Sequence, residues 1–138
     1  MTNDKYELLP DQTIGVRGHK LFRIRALRDF GRVKAGEEGG FIEREKNLST
    51  EDDAWVSDNA WVSDNAWVSG DARVSGNARV YDNALVSGNA CVFDNAWVFD
   101  NALVSGNAWA YGNAQVSGNA WVSGDARVSG NEKLNTNA

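Results

Sequence analysis

The sequence predicts an all-β prism built of short strands stacked as coils, and three observations carry that reading. Residues 54–131 divide into thirteen hexads without an insertion, from AWVSDN at Ala54 to ARVSGN ending at Asn131. The first position of every hexad is Ala, and the third is Val in all but one, where Ala110 stands. The sixth position is Asn or Asp throughout.

A period of six fits neither an amphipathic helix nor a coiled coil. Ala-x-Val is a three-residue strand whose first and third side chains share one face while the second points away. Gly or Asp followed by Asn or Asp is corner chemistry, because these residues best tolerate positive φ. Ala and Val are too small for a wide sandwich, so three strands close around a narrow axis. Eighteen residues then make one coil, coils stack about 4.8 Å apart, and the column is on the order of 20 Å tall. A single hexad has no core of its own, so stability belongs to the stack. In the frame that starts at valine, V-S-D-N-A-W resembles the hexapeptide signature of left-handed β-helices. That resemblance implies a left-handed parallel β-helix, a three-sided prism of about four to five coils.

Three segments follow in chain order: an N-terminal β cap over 1–53, the repeat over 54–131, and a degenerate hexad with its tail over 132–138. In the cap, Lys20–Arg28 alternates as a strand, with Phe22, Ile24 and Ala26 on one face and Arg23, Arg25 and Arg28 mostly opposite. Val33–Gly36 and Gly39–Ile42 suggest further short strands with glycine turns. In the last segment Glu132 replaces the inward Ala, and a charge there discourages further stacking of coils. Residues 26–30 (ALRDF), 33–36 (VKAG), 39–42 (GGFI) and 47–49 (NLS), followed by Ala54-Trp55-Val56, resemble the opening of the bacterial YdcK-like β-helix proteins. Members of that family carry transferase or polymer-forming cytoskeletal labels, which rest on fold analogy.

A three-sided coil places every third hexad on one face, which sorts the outward side chains into columns. The first face carries Trp55, Arg73, Cys91, Trp109 and Arg127; the second carries Trp61, Arg79, Trp97 and Gln115. Both alternate aromatic and cationic groups at stacking distance, and each cation–π contact is worth about 0.5–1 kcal/mol at an exposed site. Their simplest role is to stiffen the prism; the functional alternative is an aromatic binding strip. The third face is apolar throughout, with Trp67, Leu85, Leu103 and Trp121. Such a patch marks contact with a second copy, with the N-terminal segment or with a foreign partner. Ring pairs Tyr81/Phe99 and Phe93/Tyr111 and ladders of Asn at the sixth position are expected to stack from coil to coil.

Several function classes fall away. The net charge of −5 argues against general nucleic-acid or anionic-membrane binding. No apolar stretch approaches a membrane span, and Met1–Lys5 lacks the apolar core of a signal peptide, so a cytoplasmic protein is expected. Hexapeptide acyltransferases, which the repeat resembles, use a histidine base and a loop that interrupts the repeat. Here the repeat has neither, and the single histidine, His19, lies in a Gly18-His19-Lys20 turn, where an exposed loop residue is expected. No catalytic residue, cofactor or metal is expected. The favoured reading is a non-catalytic scaffold or binding module that self-associates as a dimer or trimer and contacts protein partners. The alternatives are an inhibitor or sequestering protein from a phage or mobile element, and a degenerate acyltransferase-like protein.

Overall fold

A computed structural model describes residues 3–16 and 18–135. In it every Ala-x-Val of the repeat contributes a short strand that pairs in parallel with a strand eighteen residues away: Trp61 with Arg79, Arg79 with Trp97, Leu85 with Leu103. The strands fall into three sheets, one per side of the prism. The Ala at position one and the Val at position three are fully buried through most of the stack, and their side chains form one continuous core. A buried valine contributes about 1.5–3 kcal/mol, and the ladder places one at nearly every turn of the chain.

The corners close by a shared backbone device. The fifth position of every hexad has positive φ, and it holds Gly in eight cases and Asp in five (Asp58, Asp64, Asp82, Asp94 and Asp100). Each of these Asp carboxylates accepts a backbone N–H from the coil below, as Asp94 does from Gly112 at 3.1 Å. The next residue adds an amide ladder, Asn77 to Asn95 to Asn113 to Asn131. Replacing Asp94 by Gly is therefore expected to be nearly neutral. Asp94→Val loses the carboxylate bond and strains the left-handed corner, and should lower stability by about 1–3 kcal/mol. Urea unfolding of the two variants checks the order; equal effects would refute the strained-corner account.

The N-terminal segment caps the first coil and continues one sheet. Strands β1 (Tyr6–Val16) and β2 (His19–Ala26) form an antiparallel hairpin, and β2 pairs with β3 (Glu38–Ile42). β3 then pairs in parallel with the repeat, Phe41 opposite Trp61 and Ile42 opposite Val62. Leu48 bridges Val68 in the same sense. Gly40-Phe41-Ile42 thus imitates Ala-x-Val at an offset of twenty residues, two more than a regular coil. The two extra residues fall between Leu48, still at the offset of twenty, and Trp55, which pairs with Arg73 at eighteen, and a 3-10 turn over Glu45–Asn47 precedes them. Its buried Asn47 accepts from the Glu43 and Arg44 amides and donates to the carbonyls of Asp64 and Ala66.

Several details differ from the sequence expectation. β1 was not anticipated, because Pro10 and Gly15 interrupt its pattern; a register shift between Leu9 and Thr13 accommodates the proline. In β2, Ile24 and Ala26 do face the core, but Leu21 is buried on the opposite side against Phe41 and Trp61. Residues 33–36 form a turn in which only Val33 bridges, to Phe30. At the other end, Lys133–Leu134 joins the ladder beneath Gln115–Val116, and the tail over 136–138 lies outside the described residues. No helix is long and apolar enough to cross a membrane among the described residues.

Candidate functional site

Each face of the prism has a different relation to the cap, and this decides which side chains a partner can reach. On the first face Trp55 is only 5% exposed, with Phe30 edge-on to it at 5.3 Å, so it belongs to the cap junction. Its indole nitrogen is buried without a hydrogen-bond partner. Arg73 is exposed below it and Cys91 is half-buried. Burial pushes the Cys91 thiol up from its usual value, against the opposing pull of the Arg73 charge, so the thiol stays protonated and unreactive. Further down, the Arg127 guanidinium lies 4.5 Å from the Trp109 ring.

On the second face Trp61 is 7% exposed, covered by Leu21, Phe41 and Tyr81. The Arg79 guanidinium lies between two indoles, 5.7 Å from Trp61 and 5.1 Å from Trp97. The column extends upward into the cap, where Arg23 stacks 4.4 Å from Phe41. The corner rings stack nearly parallel, Tyr81 on Phe99 at 5.1 Å and Phe93 on Tyr111 at 5.0 Å. Trp97 and Trp109 meet these rings edge-on. The aromatic/Arg ladders exist, but their upper tryptophans are internal, and the accessible portion reduces to Arg73, Arg79, Trp97, Trp109, Gln115 and Arg127.

The third face is the open one. Trp67 is 48% exposed and Trp121 49%, while Leu85 and Leu103 are half-buried between them. Leu27 is the one further large hydrophobic so exposed among the described residues. The Trp121 Nε1–H donates to Ser105 Oγ at 3.4 Å, which tilts the indole back over the preceding coil. The stripe is therefore a low apolar strip with a tryptophan at each end.

Two groups in the cap gave no sign in the sequence. Lys5 is fully buried; its Nζ donates to the Ser49 and Ala54 carbonyls, both at 2.8 Å, and lies 4.9 Å from the Phe30 ring. Desolvation, helped by the Arg28 charge, outweighs nearby Asp52, Asp53 and Asp71 and lowers its pKa to about 8. His19, expected as an exposed loop residue, instead begins β2 with one ring nitrogen on Glu43 at 2.9 Å and the other on Asp64 at 3.1 Å. Partial burial opposes ionisation of Glu43. The Asp64 amide, Arg44 and His19 outweigh it and hold the carboxyl below the usual carboxylate value. Both groups act across more than twenty residues of sequence. The one available signal was residue type: a lysine beside an apolar run and the sole histidine of the chain.

The YdcK β-solenoid repeat profile matches residues 66–81, 72–87, 78–93 and 114–130, all within the regular hexads. No curated protein matches the chain. With repeat, register and three-sheet closure in agreement, the chain is a parallel β-solenoid whose hexads are similar to YdcK β-solenoid repeats.

Proposed function

We propose that this solenoid is a non-catalytic scaffold or binding module that acts through contact between copies along its third face. One observation carries the reading: Trp67 and Trp121 stand about half exposed at the two ends of a continuous apolar strip completed by Leu85 and Leu103. Large exposed aromatics of this kind are the usual anchors of protein contacts. The strip reads Trp-Leu-Leu-Trp in either direction, so a second copy meets apolar partners in both orientations that two-fold symmetry allows.

Charge along the flanking corners favours one of those orientations. The corner before this face carries Asp64, Asp82, Asp100 and Gly118, and the corner after it Asp71, Asn89, Asn107 and Asp125. Antiparallel packing sets the first column against its own copy and brings carboxylates together. Parallel packing sets it mostly against amides. Side-by-side parallel prisms are thus the favoured arrangement.

A face four strands tall offers a few hundred Å², below the roughly 800 Å² per partner of a stable interface. The association is accordingly weak and concentration-dependent. Multi-angle light scattering across a concentration series tests this. The parent mass should rise with concentration, and Trp67→Glu/Trp121→Glu should stay monomeric with its circular dichroism unchanged. A parent mass that never departs from the monomer, or a double variant that associates like the parent, would sink the proposal.

A further inference from the structure

We propose that His19, Glu43 and Asp64 form a binding site for a divalent transition-metal ion, with Zn²⁺ the best match. The three side chains come from separate parts of the molecule: the start of β2, the residue after β3, and a corner of the first coil. One imidazole nitrogen and one oxygen from each carboxylate all lie within 4.8 Å of one another.

The three side chains are within reach of a shared ion. Bonds of about 2.0–2.2 Å from zinc to His nitrogen and carboxylate oxygen place neighbouring ligand atoms roughly 3 Å apart. In the metal-free arrangement the two ring nitrogens each face a different carboxylate, Nδ1 toward Glu43 at 2.9 Å and Nε2 toward Asp64 at 3.1 Å, so an ion held by one nitrogen requires the ring to turn and the other carboxylate to close in from within 4.8 Å. One imidazole with two carboxylates suits a borderline cation better than Ca²⁺ or Mg²⁺, which favour all-oxygen sites. Three protein ligands leave coordination positions for water, and each of the three residues keeps some solvent exposure through which an ion can enter.

The carboxylates are also oriented by the main chain. Glu43 Oε1 accepts the Asp64 N–H at 2.8 Å, and Asp64 Oδ2 accepts the Asp82 N–H at 3.1 Å. In each residue a backbone amide fixes one oxygen while the other is presented to the imidazole. Metal sites use outer hydrogen bonds in the same way to aim their ligands. Against the ion stands Arg44, whose guanidinium lies 3.0 Å from the Glu43 Oε2 that the metal would take. The Arg44 side chain is 44% exposed and can swing away, so it acts as a competitor that weakens the site without closing it.

An ion here would pin the hairpin and the cap turn to the first coil. The test is isothermal titration of the tag-free full-length chain with ZnCl₂, with thermal unfolding followed in parallel. One ion per chain is expected, with a higher unfolding midpoint in ZnCl₂ that EDTA reverses. His19→Ala should weaken binding by more than the roughly 10–100-fold that follows loss of an outer-shell partner. Asp64→Asn, which keeps an acceptor for the Asp82 amide and tolerates the corner, should do likewise. Arg44→Gln should tighten it. Each variant is first checked for the parent circular dichroism spectrum. Absence of saturable one-to-one binding by the parent chain, or binding that survives His19→Ala, overturns the proposal.

Discussion

Replacing Gly40 by alanine is expected to detach the N-terminal cap from the solenoid while the lower coils stay folded. β3 lies so close to the first coil that a Cβ on Gly40 would sit 2.4 Å from the Ala60 carbonyl oxygen and 2.9 Å from Val56 Cγ1. A Cβ on Gly39 would meet the Val56 carbonyl oxygen at 2.4 Å and the Trp55 ring at 2.7 Å. Neither glycine has positive φ, so the requirement is space alone. The obstructing oxygens belong to the backbone of the first coil and cannot rotate aside as a flexible side chain would. To relieve the clash β3 must move outward, which breaks the bonds from the Phe41 amide to Ala60 and from the Glu43 amide to Val62. Overpacking in a tight core costs about 1–3 kcal/mol and occasionally more, and a rigid backbone obstacle belongs at the upper end. Stability in a solenoid is a sum over neighbours, so loss of the cap need not melt the coils beneath it. Hydrogen exchange should show lost protection across residues 6–42 in Gly40→Ala, with the amides of residues 79–116 still protected. Gly15→Ala, with nothing within 4 Å of the added carbon, is the control and should behave as the parent does. A protected cap in Gly40→Ala would show that β3 has room the geometry denies.

The same junction shows where the sequence is legible and where it is not. The repeat could be read residue by residue because each position has one job in every coil. Position one and three fill the axis, position five takes the left-handed corner, and position six carries the amide ladder. Register follows from the period, so the stacks of Tyr81 on Phe99 and Phe93 on Tyr111 and the sandwich of Arg79 between two indoles could be placed from spacing alone. The cap obeys no period. β3 joins the ladder at an offset of twenty residues, so column arithmetic stops at Ala54 and does not reveal that Trp55 and Trp61 are roofed over. Leu21 is buried on the face of β2 that alternation assigns to arginines, because that face covers Trp61. His19 meets Asp64 across 45 residues, a distance over which a single sequence carries no pairing signal. The apolar third face was legible for the opposite reason: nothing in the cap covers Trp121, and the segment over 45–52 reaches only the edge of Trp67.

Raising the pH from about 8 to 10 is expected to stabilise the protein, and Lys5 is the cause. Its pKa is about 8 in the fold against 10.5 ordinarily. Between those values the unfolded chain binds a proton that the native chain does not, so stability rises with pH across the window. The full shift corresponds to roughly 3 kcal/mol, of which most is gained by pH 10. The rise is compatible with the contacts, because a neutral amine still has two N–H donors for the Ser49 and Ala54 carbonyls. Tyr6 limits it from above. Desolvation, with the charge of Glu45 adding to it, raises the Tyr6 pKa well beyond its ordinary 10, and its hydroxyl lies 2.8 Å and 2.7 Å from the Glu45 and Leu48 carbonyls. Above pH 10 the unfolded chain loses this proton while the native chain keeps it, so stability falls again, and the maximum lies near pH 10. Lys5→Met separates these effects. It strips both carbonyls of their donor, at about 1–3 kcal/mol for each buried acceptor, but also removes the buried ammonium that opposes the loss below pH 8. The variant should therefore fall furthest behind the parent near pH 10, where the parent amine is neutral and still bonded, and should show no rise between pH 8 and 10. Urea midpoints of both proteins at pH 7, 8, 9 and 10 measure the difference. A parent curve that is flat over this range, or a Lys5→Met curve that climbs with it, would show that the buried amine does not set the alkaline stability of the cap.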